Sequence, residues 1–524
     1  MRSSFFELNV AMTGLHTAQR GLQVTAHNMA NSATPGFSRQ YAKQRANIPI
    51  NTFSQLGMVG TGSEVYGIGQ IRNTHLDHRF WNEKPILGKH TMVENQLTIM
   101  ESMFGELNKT GISANFNDFF DSLQDLSTNA ADSTNRNSLI QSMNSLTRYI
   151  NNNATSLRRQ QQDINRDIGS VVAVINNLGD QINILNNQIE RMEMSGGRAN
   201  DLRDKRALLI DELSGLVNIS VTESNVNGTD RLTIHIDGQE FVNNHGVNLL
   251  QVSRRTNEQR RNPHDADGLY EITFANGRSF NMYSPTLNGE LKGLIDMRDG
   301  NGGRDIVGNG GTTSFRGIPY YIESLNNMIK TFADAFNYGV DHLGEPIPGV
   351  TGHVNGYDGN NKNEGLPLFV GTPRNNSDPL YEEDPWGLQD LNIFNFQLNP
   401  MIIADPNLLA TSKKPNEGES SNDLILGFLE IKDYQSLFRE GSLNDYINAM
   451  TGELAMDLKN ASNFQESQTD VLVTLDNQRL QVKGVDINEE MVNLIFFQQQ
   501  YRSASRLITT INEVYDNMIN RMGV

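Results

Sequence analysis

The 524-residue chain contains no cysteine. Disulfides, thiolate metal sites and a cysteine nucleophile are excluded together. Cations are also scarce: 43 Lys and Arg stand against 61 Asp and Glu, for a formal net charge of -18. No basic run occurs, so the clustered positive charge that nucleic acid or an anionic membrane requires is missing. No apolar stretch approaches the roughly 20 residues that span a bilayer. Glu7 and Asn9 interrupt the apolar start, which therefore lacks the order of a cleavable signal peptide. On these grounds alone the chain reads as cytosolic, unless export uses an uncleaved signal.

Motifs for chemistry are missing as well. Gly300-Asn301-Gly302-Gly303 and Gly308-Asn309-Gly310-Gly311 fail as phosphate loops, because Asp305 and Thr313 stand where a third glycine is needed and no Gly-Lys-Ser or Gly-Lys-Thr follows. His75, Asp77 and His78 share one turn without the spacing of a zinc site, and Asp358, Asn360 and Glu364 lack the ligand order of a calcium loop. There is no Gly-x-Ser-x-Gly elbow. Phe5, Phe6, Phe496 and Phe497 are of the type that inserts at a membrane interface, but the Lys and Arg face of such helices is absent. The expectation is a protein with no catalytic residue, no cofactor and no metal.

What is present is helical periodicity at both ends. Leu494, Phe497, Tyr501, Ala504, Ile508, Ile511, Tyr515, Met518 and Met522 recur at alternating intervals of three and four, the rhythm of a helix burying one stripe against other helices. Gly484 breaks the preceding segment. Asp486 then stands as an N-cap, with Glu489 completing a capping-box pattern. At the other end Phe5, Leu8, Met12, Leu15, Leu22, Ala26 and Met29 share the spacing, with Gln19 the polar member. Neither stripe can bury itself, and about ten seam side chains at roughly 1.5 to 3 kcal/mol each do no more than match the cost of ordering the backbone. The two helices are expected to pair with each other and with copies of themselves, and to be largely disordered without partners. Asn31, Thr34, Pro35, Gly36 and Phe37 close the first helix, with Pro35-Gly36 suited to the centre of a type II turn.

Between the ends, residues 40–70 read as short extended pieces or a hairpin. Helix is expected from about Ile86 to Leu216, most clearly along Leu157, Ile164, Ile168, Val171, Ile175, Leu178, Ile182, Leu185, Ile189 and Met192, broken only by Gln161. The period changes to two over residues 218–284, around Asp237-Gly238 and Asn276-Gly277. Helix returns over 289–340, and three further helices are expected at 423–438, 444–459 and 464–482. The fold class is α+β multidomain. A terminal helical polymerisation unit (1–35 with 484–524) is followed by an elongated helical bundle (36–217 with 285–340 and 391–483). A small antiparallel β domain (218–284) and a loop excursion or small insertion of no assigned fold (341–390) complete it.

Two stretches at opposite ends carry a resemblance. Asn28-Met29-Ala30-Asn31 leading into Thr34-Pro35-Gly36-Phe37, and Gly484-Val485-Asp486-Ile487-Asn488-Glu489-Glu490-Met491, resemble the motifs of the rod, hook and hook-associated axial proteins of the bacterial flagellum. Phe37-Ser38-Arg39-Gln40, Asn200-Asp201-Leu202-Arg203-Asp204-Lys205-Arg206 and the stretch 289–299 are similar to the hook-associated, junction-forming branch. The resemblance implies a structural, extracellular protein, exported by the flagellar type III apparatus without signal cleavage, whose terminal helices form an inner tube joining hook to filament. It implies as partners the hook protein, the next hook-associated protein and a cytosolic chaperone on the C-terminal helix. Alternatives are another axial protein, hook or rod, or a secreted membrane-interacting or enzymatic protein.

Overall fold

The computed structural model describes residues 6–51, 57–105, 111–194, 196–226, 229–243, 245–303, 314–358, 362–375 and 377–521. Phe5, Met522, Asp305, Gly308-Asn309-Gly310-Gly311, Thr313 and Asn360 lie outside the described residues. Helix α1 (Phe6–Ala30) is followed by β1 (Gln40–Ala46), β2 (Ile50–Asn51), β3 (Met58–Val59) and β4 (Ser63–Gln70). β1 pairs antiparallel with β4, and β2 with β3. A two-stranded ribbon is marginal alone. This one leans on α1, where Thr17 donates to the Ser63 carbonyl at 3.2 Å and Asn28 bonds both backbone groups of Gln40 at 2.8 and 3.0 Å.

The central helices are α2 (Thr74–Phe104), α3 (Ile112–Thr128), α4 (Ser133–Glu193) and α5 (Asn200–Leu216). α2 begins twelve residues before the expected start at Ile86. Asn73 caps it by accepting from the His75 N–H, and Pro85 sits inside the helix. A proline signals a helix break only where its missing N–H and its ring are not accommodated. α4 runs unbroken for 61 residues, about 90 Å. Its heptad positions Leu157, Ile164, Ile168, Val171, Ile175, Leu178, Ile182 and Ile189 are buried, while Leu185 is half-buried and Met192 exposed. Gln161, the polar break in that seam, is fully buried and useful there: it donates to Asp265 at 2.7 Å and to the Arg298 carbonyl at 2.8 Å.

Strands β5 (Ile219–Val226), β6 (Thr229–Ile236), β7 (Gln239–Asn243) and β8 (Gly246–Val247) form one antiparallel sheet in sequence order, and β9 (Leu250–Arg254) pairs with β10 (Tyr270–Phe274). α4 grips this β part by side-chain amides: Asn176 bonds both backbone groups of Leu250 at 2.8 Å, and Asn186 donates to the Leu232 carbonyl. Helices α6 (Glu290–Asp299) and α7 (Ile318–Tyr338) return to the bundle, where Phe116, Phe119, Phe332, Phe336, Phe369 and Phe428 interlock as edge-on and tilted rings.

The described residues of 341–390 have little regular structure but are tied down. Asn337 accepts from the Leu368 and Phe369 N–H groups and donates to the Phe369 carbonyl, and β11 (Phe369–Val370) pairs with β12 (Gln397–Leu398). α8 (Pro400–Ala404) and α9 (Asp423–Glu430) are short. Instead of two helices at 444–459 and 464–482, one helix α10 (Leu443–Lys483) runs 41 residues from a Ser442–Asp445 capping box. The polar stretch Asn460-Ala461-Ser462-Asn463 does not end it, because Ala461 is buried in the core. After Gly484, helix α11 (Ile487–Asp516) begins with Asp486 accepting from the Asn488 N–H. The fold is thus helix-dominated with small antiparallel sheets. α10 lies along α2, and α11 along α1.

Candidate assembly site

The joint between the α1–α11 arm and the bundle is built from three short stretches. The Phe37 N–H donates to the Thr34 carbonyl at 3.2 Å with Gly36 at φ +77°, which makes Pro35-Gly36 the centre of a turn that needs a left-handed residue. Thr34 donates its hydroxyl to Asn31, whose amide donates back to the His27 carbonyl, and the Phe37 ring meets His27 edge-on at 5.5 Å. Asn31, Gly36 and Phe37 are half-buried, and Thr34 and Pro35 are exposed.

The next three residues bind α5 on one side and the α10–α11 break on the other. Ser38 donates from its backbone and hydroxyl to the two oxygens of Asp204 at 2.8 and 2.7 Å, and Gln40 donates to Asp201 at 2.6 Å. Arg39 donates its backbone N–H to the Lys483 carbonyl at 2.9 Å and its guanidinium to Glu490 at 2.7 Å and Glu489 at 2.6 Å. Burial acts to lower the Arg39 pKa, but the hydrogen bonds to Glu490 and Glu489 outweigh it and hold the group above its ordinary value. Burial pushes the Asp204 carboxyl up despite the Ser38 bonds. Glu489 therefore serves Arg39, and the expected capping box at the start of α11 is replaced by the Asp486 cap alone.

Behind the joint lies a buried charge relay. Arg479 of α10 donates to Asp77 of α2 at 2.9 Å and to Asp211 of α5 at 2.9 Å, Arg72 donates to Asp77 at 2.6 Å, and the Trp81 indole donates to Asp211 at 2.6 Å. Asp77 is thus occupied by two guanidinium groups, and no cluster of three metal-ligating side chains occurs among the described residues.

Within the arm, the helices run antiparallel, since Gly21 meets Phe497 while Arg39, beyond the end of α1, meets Glu490 at the start of α11. A Cβ on Gly21 would stand 2.5 Å from the Phe497 ring. Leu494, Phe497, Ile508 and Tyr515 are half-buried and Ile511 is buried, whereas Tyr501 is exposed and Met518 is exposed in a π turn over Asn517–Arg521. On α1 the inward face is Ala11, Thr17, Ala18, Gly21, Val24, Thr25 and Asn28. The expected seam of Leu8, Met12, Leu15, Leu22 and Met29 lies to one side of it; Met12 is 42% exposed and the other four are half-buried. Small residues face inward because the β ribbon and the Phe497 ring approach the backbone closely, which a search for large apolar residues does not detect.

Comparison with known proteins agrees with this geometry. The model described as the flagellar hook-associated protein FlgK helical domain matches residues 97–346, and the flagellar basal body rod FlgEFG C-terminal model matches residues 477–522. Flagellar hook-associated protein 1 of Bacillus subtilis is 27% identical over 100% of this chain and 99% of its own length. The chain belongs to the flagellar hook-associated protein 1 family. The Escherichia coli member is 25% identical over 98% of this chain and 99% of its own. The solved structure of the flagellar hook junction protein FlgK from Burkholderia pseudomallei shares the fold, with a TM-score of 0.58 at 12% identity over 78% of this chain and 100% of that one. As a member of the family, the chain is a structural, non-enzymatic component of the hook–filament junction of the flagellum. In this setting the three family-like stretches, at 37–40, 200–206 and 484–491, have a physical meaning: they are the three sides of one joint.

Proposed function

We propose that the chain polymerises through α1 and α11 to form the junction, with the hook protein on one side and the next hook-associated protein on the other. The observation that carries this reading is the state of α11: of its 30 residues only Glu490 and Ile511 are buried, while large apolar side chains stand exposed along its length. A lone helix of that kind gains too little from burial to stay ordered, and neighbouring copies supply what is missing. The seam residues from Leu8 to Met29 and from Leu494 to Met518, with Phe5, serve that assembly. The Asn31–Phe37 turn sets where the arm ends.

The proposed division of the chain follows from this role. Residues 1–35 with 484–524 are the polymerising arm, residues 36–217 with 285–340 and 391–483 the rod, and residues 218–284 and 341–390 outer parts. Before assembly a cytosolic chaperone covers the C-terminal helix, and export proceeds without signal cleavage to the extracellular flagellum. The test is complementation of cells lacking their own junction protein. The full chain restores filaments on hooks, and the chain truncated before Gly484 does not. Filaments restored by the truncated chain would rule the reading out.

A further inference from the structure

α11 carries a second apolar stripe that the pairing with α1 leaves uncovered. Val492, Phe496, Leu507 and Val514 are 66, 53, 50 and 50% exposed, and their intervals of 4, 11 and 7 place them on one face of a heptad helix. The missing beats fall on Gln499, Ser503 and Thr510. Such a period is matched by a helix with the same period, not by a sheet or a loop. α1 offers one of equal length: Leu8 to Met29 spans 21 positions and Val492 to Val514 spans 22, each about 32 Å.

The two stripes cannot satisfy each other within one chain. At 3.6 residues per turn the Leu8–Met29 stripe stands about 120° from Gly21 around α1, and the Val492–Val514 stripe about 100° from Phe497 around α11. Because the helices are antiparallel, both rotations have the same sense when seen from one end of the arm. The stripes therefore face opposite sides of the α1–α11 pair.

We infer that the Leu8–Met29 stripe of one copy packs on the Val492–Val514 stripe of the next copy, a head-to-tail contact between two different faces. This rests on the polymerisation proposed above and says which faces meet. A contact of unlike faces repeats around an axis and closes into a ring or continues as a tube, whereas a contact of like faces stops at a dimer. It also continues the α1–α11 packing already present, so each arm becomes one layer of a wall of alternating α1 and α11 helices.

The cysteine-free sequence makes the test clean, since the parent chain has no thiol to cross-link. Leu22→Cys and Phe496→Cys are introduced singly and together, and assembled flagella are treated with a short bismaleimide. The double variant is expected to give a ladder of covalent dimers, trimers and larger species, and each single variant only monomer. Dimers from either single variant, or monomer alone from a double variant that builds flagella, would overturn the inference while leaving polymerisation intact. If the cysteine variants build no flagella, Leu22→Asp and Phe496→Asp decide instead: each should lose assembly with the helix content of the free chain kept, and filaments built by both would overturn it. Failure of the parent chain to complement would count against the proposed function itself.

Discussion

Arg39 donates to Glu490 at 2.7 Å across 451 positions of sequence, and its backbone N–H donates to Lys483 at 2.9 Å, so one residue after the first helix holds both sides of the break at Gly484. Glu490 is 2% exposed and Glu489 is 60% exposed. The two carboxylates therefore differ in consequence. Arg39→Ala leaves a buried carboxylate without its cation and should destabilise the joint by about 3 kcal/mol. Glu489→Gln removes a screened surface partner and should change it by less than about 0.5 kcal/mol. Hydrogen exchange over the first turns of α11 reads both, and equal effects would contradict this ordering.

Gly21 is where the arm helices come closest. Gly21→Ala places a methyl against the Phe497 ring and should cost about 1 to 3 kcal/mol of arm pairing. Phe497→Leu in the same chain should recover part of that loss. Limited proteolysis of the arm measures it, and an alanine variant as resistant as the parent would show that the ring moves aside without cost.

How far the sequence was legible follows from which signals are local. Helices α4 and α11 and the Pro35-Gly36 turn depend on nearby spacing and form where expected, although Tyr501 and Met518 of the expected α11 seam are exposed. The inward face of α1 was missed because it consists of Ala, Thr, Gly and Asn, chosen for close approach and for bonds to the β1–β4 ribbon. The order within residues 341–390 was missed because it comes from single amides such as Asn337, which leave no period. All three stretches of the joint resemble the family in sequence, yet nothing in one sequence says that Ser38 meets Asp204 or that Arg39 meets Glu490.

Asp299 is fully buried between Arg255 and Arg298, with the Tyr283 hydroxyl also donating to it. Burial acts to raise its pKa, but Arg255 and Arg298 prevail and hold the carboxyl well below the usual carboxylate range. Asp299→Asn should cost about 3 to 5 kcal/mol at neutral pH, since two buried cations lose their shared charge. A carboxyl with a lowered folded pKa contributes fully above its unfolded value of about 3.9 and progressively less below it. The difference between parent and variant in thermal unfolding should therefore narrow below about pH 4. A constant difference across acid pH would contradict the ionised assignment.

His353 is locked as a neutral ring, because Nδ1–H donates to the Leu366 carbonyl at 2.7 Å and Nε2 accepts from the Ala410 N–H at 2.9 Å. Burial lowers its pKa from the ordinary histidine range to about 4. The unfolded chain then binds the proton first as pH falls, so stability is complete above about 6.5 and declines by up to about 3 kcal/mol towards pH 4. His353→Gln should flatten that part of the stability profile in urea unfolding. A variant with the same slope as the parent between pH 6.5 and 4 would contradict the assignment.

Contact with other copies is what makes α1 and α11 a stable structure in the proposed assembly. The most direct measurement is hydrogen exchange of the α11 amides, Ile487–Asp516, in the free chain and in hook–junction assemblies isolated from cells. Segments with few buried contacts open at low free energy. Exchange along α11 should be rapid in the free chain and protection increased by on the order of 100-fold in the assembly, strongest around Val492, Phe496, Leu507 and Val514. Equal protection in the two states would contradict it.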